Sequence, residues 1–236
     1  MTSDTASLAG RVGIVTGGTS GIGAAVVERC VANGATIAYC GRSRRGSAPK
    51  VGEYFELDVR SYGEVEAFCN DVERRFGRLD FVVTSAGVTL PGRLDDTDPA
   101  RWQTVLETNV LGTANVVRAA LPAMRSGGGG HVVLVGSIAG RGTHAGEPVY
   151  LASKWAVVGL AAALRRQLRP AIRVSLVEPG LVDSPMSRSE PGLAHWLSLV
   201  EPLAPNDVAS AVAFVLSQPP RVSINNVIMR PSLQEL

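Results

Sequence analysis

Short runs of β-branched and apolar residues alternate with longer stretches of helical periodicity from one end of the chain to the other. VGIVT (12–16), TIAYC (36–40), EYFELDV (53–59), DFVVT (80–84), HVVLVG (131–136), IRVSLV (172–177) and VSINNVIM (222–229) read as seven strands. Most of these runs are apolar throughout rather than alternating, so both faces of each strand must be covered. Strands separated by helical segments predict a parallel sheet joined by right-handed crossovers. The expected fold class is α/β: a doubly wound sheet of seven mainly parallel strands flanked by helices on both faces.

Helix signals lie between the runs. Ser61 with Glu64 makes a capping-box pattern, Val65, Phe68, Val72 and Phe76 mark one apolar face, and Gly77 ends that helix. Asp98-Pro99 opens a long helix that runs through Asn109 toward Pro122, and 127–130 is a glycine turn before the fifth strand. The connection from Arg42 to Glu53 is polar and broken by Gly46, Pro49 and Gly52, which predicts a bare loop in place of one crossover helix. Ser184 to Pro205 is proline-rich and without periodicity, and so long a loop predicts a substrate lid. Residues 1–236 are read as a single nucleotide-binding domain with the lid at about 184–205.

With 236 residues, 45% of them hydrophobic, the chain can bury one large core. A net charge of +2 with no long basic run argues against nucleic acid and against an electrostatic membrane anchor, leaving a small-molecule partner. The opening MTSDTASLAG lacks the form of an export signal, and no apolar stretch approaches a membrane span, so a cytoplasmic location is expected. Cys30, Cys40 and Cys69 are odd in number and far apart, which predicts buried thiols rather than disulfides or a metal site.

Two patterns carry chemistry. TGGTSGIG (16–23) follows the first strand and opens a helix: Gly17 serves the tight turn, Gly21 a backbone approach to a pyrophosphate, and Gly23 close packing. The helix N-terminus adds free N–H groups and partial positive charge for phosphates. YLASK sets Tyr150 and Lys154 on one helix face in a chain whose only other lysine is Lys50. An ordinary surface pair would read the same. A functional pair would place the ammonium so as to lower the phenol's pKa from ~10 by roughly 3 units, bringing it toward the working range of a general acid/base.

The G-x-x-x-G-x-G spacing with Y-x-x-x-K resembles the short-chain dehydrogenase/reductase family in its single-domain branch, and LDV (57–59), SAG (85–87), TNVLG around Asn109, VGSIAG around Ser137 and EPGLVDS (178–184) follow in the family's order. The resemblance implies a Rossmann-like fold and NAD(P)-dependent interconversion of a carbonyl and a secondary alcohol. In that scheme Ser137 binds the substrate oxygen, Tyr150 gives or takes the proton, Lys154 holds the nicotinamide ribose and acidifies the tyrosine, and Asn109 anchors a relay water. Cofactor contacts are implied for Gly17, Thr19, Ser20, Gly21, Ile22 and Gly23, for Asp58 and Val59 at the adenine, and for Ser85, Ala86 and Gly87 along the nucleoside. Tyr150 and Lys154 belong to the same set, with Pro179, Gly180, Val182 and Ser184 in the turn that receives the carboxamide.

After the second strand the chain reads CGRSRR, with no carboxylate for a ribose 2′-hydroxyl. Arg42, with Arg44 and Arg45 nearby, suits a 2′-phosphate instead, so NADP is expected over NAD. Val88 to Leu90, Thr143 to Glu147 and 186–197 would shape the substrate pocket, while His144 and His195 receive no role. The resemblance implies a homodimer or homotetramer through the helices carrying Asn109 and Tyr150. Three features depart from the family: Thr84-Ser85 in place of two asparagines, the shortened loop after Arg42, and a tail without a glycine-rich end, closer to members acting on hydroxy amino acids or small aldehydes. A nucleotide-binding sensor without turnover is the competing reading.

Overall fold

A computed structural model describes residues 7–44, 48–143 and 146–234, and the side chains of 191 and 196 are outside that description. The seven predicted runs form β1 (Val12–Thr16), β2 (Thr36–Gly41), β3 (Glu53–Glu56), β4 (Phe81–Thr84), β5 (Gly130–Val135), β6 (Ile172–Pro179) and β7 (Asn226–Met229). They pair in the order β3-β2-β1-β4-β5-β6-β7, every ladder parallel. The order reverses at β1 and β4, so their carboxyl ends face a crevice of the kind in which doubly wound sheets bind ligands.

Alternation along each strand divides the core in two. Val12 and Ile14 of β1, Ala38 and Cys40 of β2, and Val132 and Leu134 of β5 face one layer. That layer is built by α2 (Tyr62–Phe76), α4 (Thr113–Ser126) and α5 (Pro148–Leu168). Val15, Ile37, Tyr39 and Val133 face the other, against α1 (Gly21–Ala32) and α8 (Pro205–Ser217). Continuously apolar strands are the direct consequence of a sheet covered on both faces. Cys30, Cys40 and Cys69 are free buried thiols, each pushed up to about 12 by burial.

Local details depart from expectation. The predicted capping box before α2 is not formed. Ser61 makes no side-chain cap, and Glu64 accepts from the Asp58 amide at 3.0 Å, because the chain entering from β3 offers that donor. The apolar face and the left-handed Gly77 stop (φ 74°) stand as read. The helix begun at α3 (Pro99–Leu106), with Asp98 accepting from the Ala100 amide, widens into a π-helical stretch at Glu107–Gly112 and continues as α4 beyond Pro122 to Ser126.

The 184–205 stretch, read as an aperiodic loop, contains two short helices, α6 (Pro185–Ser189) and α7 (Pro191–Leu199). Its prolines open helices rather than break them, since the missing N–H costs nothing in a first turn. Between β2 and β3 the described residues form no helix; Arg45 and Gly46 of that loop lie outside the described residues.

Candidate active site

The glycine turn is built by contacts from outside itself. Gly17 (φ +66°) would place a Cβ 2.8 Å from the Ala86 backbone. Thr16 Oγ1 accepts from the Ser85 and Ala86 amides at 3.2 and 3.3 Å, tying the turn to the SAG segment. Gly21 takes φ +52° and would bring a Cβ to 3.5 Å from Ser184, so it is needed for conformation more than for space. Gly23 was expected to pack on the sheet, yet its Cβ would fall 2.2 Å from the Gly17 carbonyl oxygen; the turn folds back onto the helix it starts. Gly18, not singled out in the sequence, lies against Tyr39, where a Cβ would come within 2.7 Å.

Ser20 enters α1 extended and makes no side-chain cap, and the first turn carries no acidic residue. The unpaired N–H groups and partial positive charge of that helix start thus meet no acidic side chain within the first turn, as a pyrophosphate site requires. Thr19 sits against Gly41, where a Cβ would meet its side chain at 2.8 Å, and Ile22 packs on the α1 layer.

At the far end of the crevice Asn109, 2% exposed in the π-helical stretch, clamps the SAG loop. Its Oδ1 accepts from the Val88 amide at 2.9 Å, and its Nδ2 donates to the Val88 carbonyl at 2.9 Å and Ser153 Oγ at 3.0 Å. Both amide protons are thus spent, so the side chain positions and any relay water is left to the backbone carbonyl, which already accepts from Thr113 Oγ1 at 2.8 Å. Ser153 in turn donates to the Tyr150 carbonyl at 2.7 Å. Gly87 fits between: a Cβ there would lie 3.3 Å from Asn109 Oδ1 and 3.9 Å from Lys154 Nζ.

Ser137 follows β5 in extended conformation, accepts from the Ala139 amide at 3.1 Å, and has its hydroxyl near enough to the Tyr150 phenol to pull its pKa down. Lys154, 8% exposed, holds its Nζ 5.7 Å from the Tyr150 ring centroid and 3.5 Å from the Val135 carbonyl. The sequence expectation of an acidified phenol fails for this state. Burial pushes Tyr150 up to about 12, against a downward pull from Ser137 and with a further upward push from Glu147. Burial also brings Lys154 down to about 8. Desolvation penalises the ionised form of each group, and the ammonium lies over the ring face rather than against the hydroxyl.

Other predicted contacts are differently committed. The Asp58 carboxylate takes both Nε and Nη2 of Arg60 at 2.9 and 2.6 Å, which with Arg42 nearby holds it below the usual range. The Val59 side chain is buried and its carbonyl accepts from Asn115 at 3.0 Å. Arg42 is exposed just after β2, while Arg44 lies over the Tyr54 ring at 5.7 Å. Pro179 ends β6; Gly180 would clash with Gln234 if it carried a Cβ. Val182 is buried and bridges to Leu203, and Ser184 caps α6 by accepting from the Ser187 amide. The two asparagines replaced by Thr84-Ser85 leave a mark: Thr84 Oγ1 is buried without a partner. Among the described residues no group of His, Cys, Asp and Glu could hold a metal. His144 lies outside the described residues.

The pattern that describes short chain dehydrogenases matches residues 11–192. The chain belongs to that family. This short-chain dehydrogenase is 32% identical over 232 residues to an uncharacterised oxidoreductase of Staphylococcus saprophyticus, covering 94% of this chain and 97% of the relative. Among solved structures it is similar to the serine dehydrogenase of Escherichia coli, with TM-score 0.82 and 29% identity over 95% of this chain and 100% of that one. It is also similar to a closed serine dehydrogenase complexed with NADP+, with TM-score 0.86 and 28% identity over 95% and 96%. The short-chain dehydrogenase is thus an oxidoreductase by family, with a Rossmann-like sheet. Among the described residues no helix is long and apolar enough to cross a membrane.

Sequence reading missed Thr16, Ser153 and the Glu147–Thr89 bond (3.0 Å) that stitches the two expected pocket walls near Tyr150 of the dehydrogenase. Each is joined to its partner across at least 40 residues of sequence or by a hydroxyl in a polar loop, and no local pattern announces such a pair.

Proposed function

We propose that the protein is an NADP(H)-dependent oxidoreductase that interconverts a carbonyl and a secondary alcohol on a small molecule, with Tyr150 as general acid/base. The observation that carries this reading is the meeting of Ser137, Tyr150 and Lys154, with the serine hydroxyl near the phenol and the ammonium across its ring. Ser137 would hold the substrate oxygen, Tyr150 would exchange a proton with it, and Asn109 would fix the loop and helix between them. Lys154 would bind the nicotinamide ribose. The glycine turn from Gly17 to Gly23, with Thr19, Ser20 and Ile22, would cradle the pyrophosphate; Asp58, Val59 and 85–87 would flank the adenosine. Pro179, Gly180, Val182 and Ser184 would meet the carboxamide. The nicotinamide, when bound, supplies or accepts the hydride.

Burial keeps the Tyr150 phenol protonated at neutrality, the form that gives a proton in carbonyl reduction, while a pKa of about 12 lies above the range of an efficient acid. NADP is favoured over NAD because Arg42 stands exposed after β2, where the run CGRSRR supplies no carboxylate for a ribose hydroxyl, and because a similar serine dehydrogenase is described with NADP+. The tail and those relatives point to hydroxy amino acids or small aldehydes as the first substrates to try. Self-association through the helices bearing Asn109 and Tyr150 is supported by exposed Leu106, Leu111 and Trp155 on them. A cytoplasmic enzyme is the matching proposal.

The test follows NADPH absorbance with a panel of ketones, aldehydes and keto acids. Wild type is expected to oxidise NADPH with at least one, and Tyr150→Phe to bind NADPH and lose turnover by a factor of about 10³ or more. NADPH binding with no oxidation across the panel would favour the sensor reading.

A further inference from the structure

Two turns of the site and the start of β7 converge on one carboxylate outside the Ser-Tyr-Lys group. Glu178, 0% exposed near the end of β6, accepts from Nε and Nη2 of Arg141 at 2.7 and 2.9 Å and from Nδ2 of Asn226 at 2.8 Å. Arg141 closes the 3-10 turn Ile138–Gly140, for which Ser137 is the cap. That turn is tight: the Gly140 amide donates to the Ser137 carbonyl at 2.9 Å, and a Cβ on Gly140 would fall 2.8 Å from the Lys154 carbonyl oxygen. Anything that moves Arg141 therefore moves Ser137 relative to α5.

Glu178 also stands immediately before Pro179-Gly180, and Asn226 opens β7. From there the tail returns to the same turn. The Gly180 amide donates to the Met229 carbonyl at 2.7 Å, and the Leu181 amide donates to Gln234 Oε1 at 2.9 Å. The tail that departs from the family's ending is thus bonded to the 179–182 turn on one side, while Arg141 braces it on the other.

The ion pair has one buried member, Glu178, and one that is 37% exposed, Arg141, and it gains little net stability, because desolvation of the carboxylate offsets much of the attraction. A two-bond guanidinium–carboxylate fork does fix direction and separation, which a single contact does not. We propose that Glu178, with Arg141 and Asn226, is a positioning residue that sets the Ser137 turn and the 179–182 turn at one separation. The substrate oxygen on Ser137 and the nicotinamide end of the coenzyme are thereby held in register. None of the three touches the reacting atoms, and the inference rests on the NADP(H) reading above.

The decisive variant is Arg141→Met with Glu178→Leu, since it removes the buried Glu178 carboxylate together with its partly exposed partner, whereas losing Arg141 alone strands a buried charge. Two probes are titrated: NADPH, and 2′-phospho-ADP-ribose, which lacks the nicotinamide. The double variant is expected to melt near wild type and to bind 2′-phospho-ADP-ribose unchanged. Its NADPH affinity and kcat should each fall about 10- to 100-fold, the scale of a misplacement near 1 Å. Glu178→Gln, which keeps the shape and the Asn226 contact, should show the same split in smaller measure and serves if the double variant does not fold. Arg141→Lys should recover only part of kcat, having no fork.

Wild-type kcat and NADPH affinity in a folded double variant, or in Glu178→Gln, would overturn the proposal, leaving the pair a packing feature. A wild-type protein that binds neither probe would overturn the coenzyme reading itself, an outcome distinct from unaltered variants of a protein that binds both.

Discussion

Replacing Lys154 by methionine is expected to stabilise the protein while disabling it. The ammonium is 8% exposed, and burial lowers its pKa from 10.5 to about 8. A displacement of that size corresponds to about 3 kcal/mol against the charged form, at 1.36 kcal/mol per pH unit. Its contacts recover part of this: a long 3.5 Å approach to the Val135 carbonyl and a ring-face contact of about 0.5–1 kcal/mol. The net is about 2 kcal/mol, and methionine fills nearly the same volume without a charge. For a chain of this length that gain is worth roughly 4–8 °C in Tm at pH 7.

The sign follows from linkage. With a folded pKa below the unfolded one, the lysine's favourable share is complete above about pH 10.5 and is lost as pH falls through about 8. The variant's advantage should therefore be largest below pH 8 and shrink toward pH 10. Thermal unfolding of both proteins from pH 6.5 to 9.5, beside NADPH oxidation, measures this. A variant less stable than wild type at pH 7, or a difference that does not vary with pH, would refute the account of Lys154 as a buried, strained cation kept for function.

Gly23→Ala should cost about 1–3 kcal/mol and abolish coenzyme binding, because its methyl would lie 2.2 Å from the Gly17 carbonyl; Gly21→Ala, with no clash but a left-handed backbone, should cost about 1–2 kcal/mol, both read by denaturant unfolding. Asn109→Ala strands the Val88 amide and carbonyl and is expected to lose about 2–4 kcal/mol, with a broadened loop signal in hydrogen exchange at 85–90. Buried His131 is held down at about 3, so its share of stability is present above pH 6.5 and drains as pH falls toward 3; His131→Leu should flatten that acid slope in chemical denaturation. Leu111→Glu places a charge on the exposed helix face and should shift the sedimenting species toward monomer.

What the sequence determined by itself were the features that one segment can specify. Seven short, mostly continuous apolar runs marked the strands and, through burial on both faces, the sheet class. Gly17 announced a tight turn and Gly77 a helix stop, both at positive φ, and the spacing from Tyr150 to Lys154 announced a shared helix face. Prolines at 185, 191 and 205 hid the helices of the 184–205 stretch, because a proline carries the same local restriction whether it ends one helix or begins the next.

Tertiary structure alone decided which polar groups meet. Glu64 forsook its own helix for the Asp58 amide, Asn109 spent its amide on Val88 and Ser153, and Glu178 met Arg141 and Asn226 across 37 and 48 residues. It also decided the direction of the Tyr150 pKa, which spacing had suggested would fall and burial raises instead. Helix geometry places an ammonium near a phenol, but the desolvation of both is a property of everything packed around them. That sum over distant neighbours is not written in any local pattern.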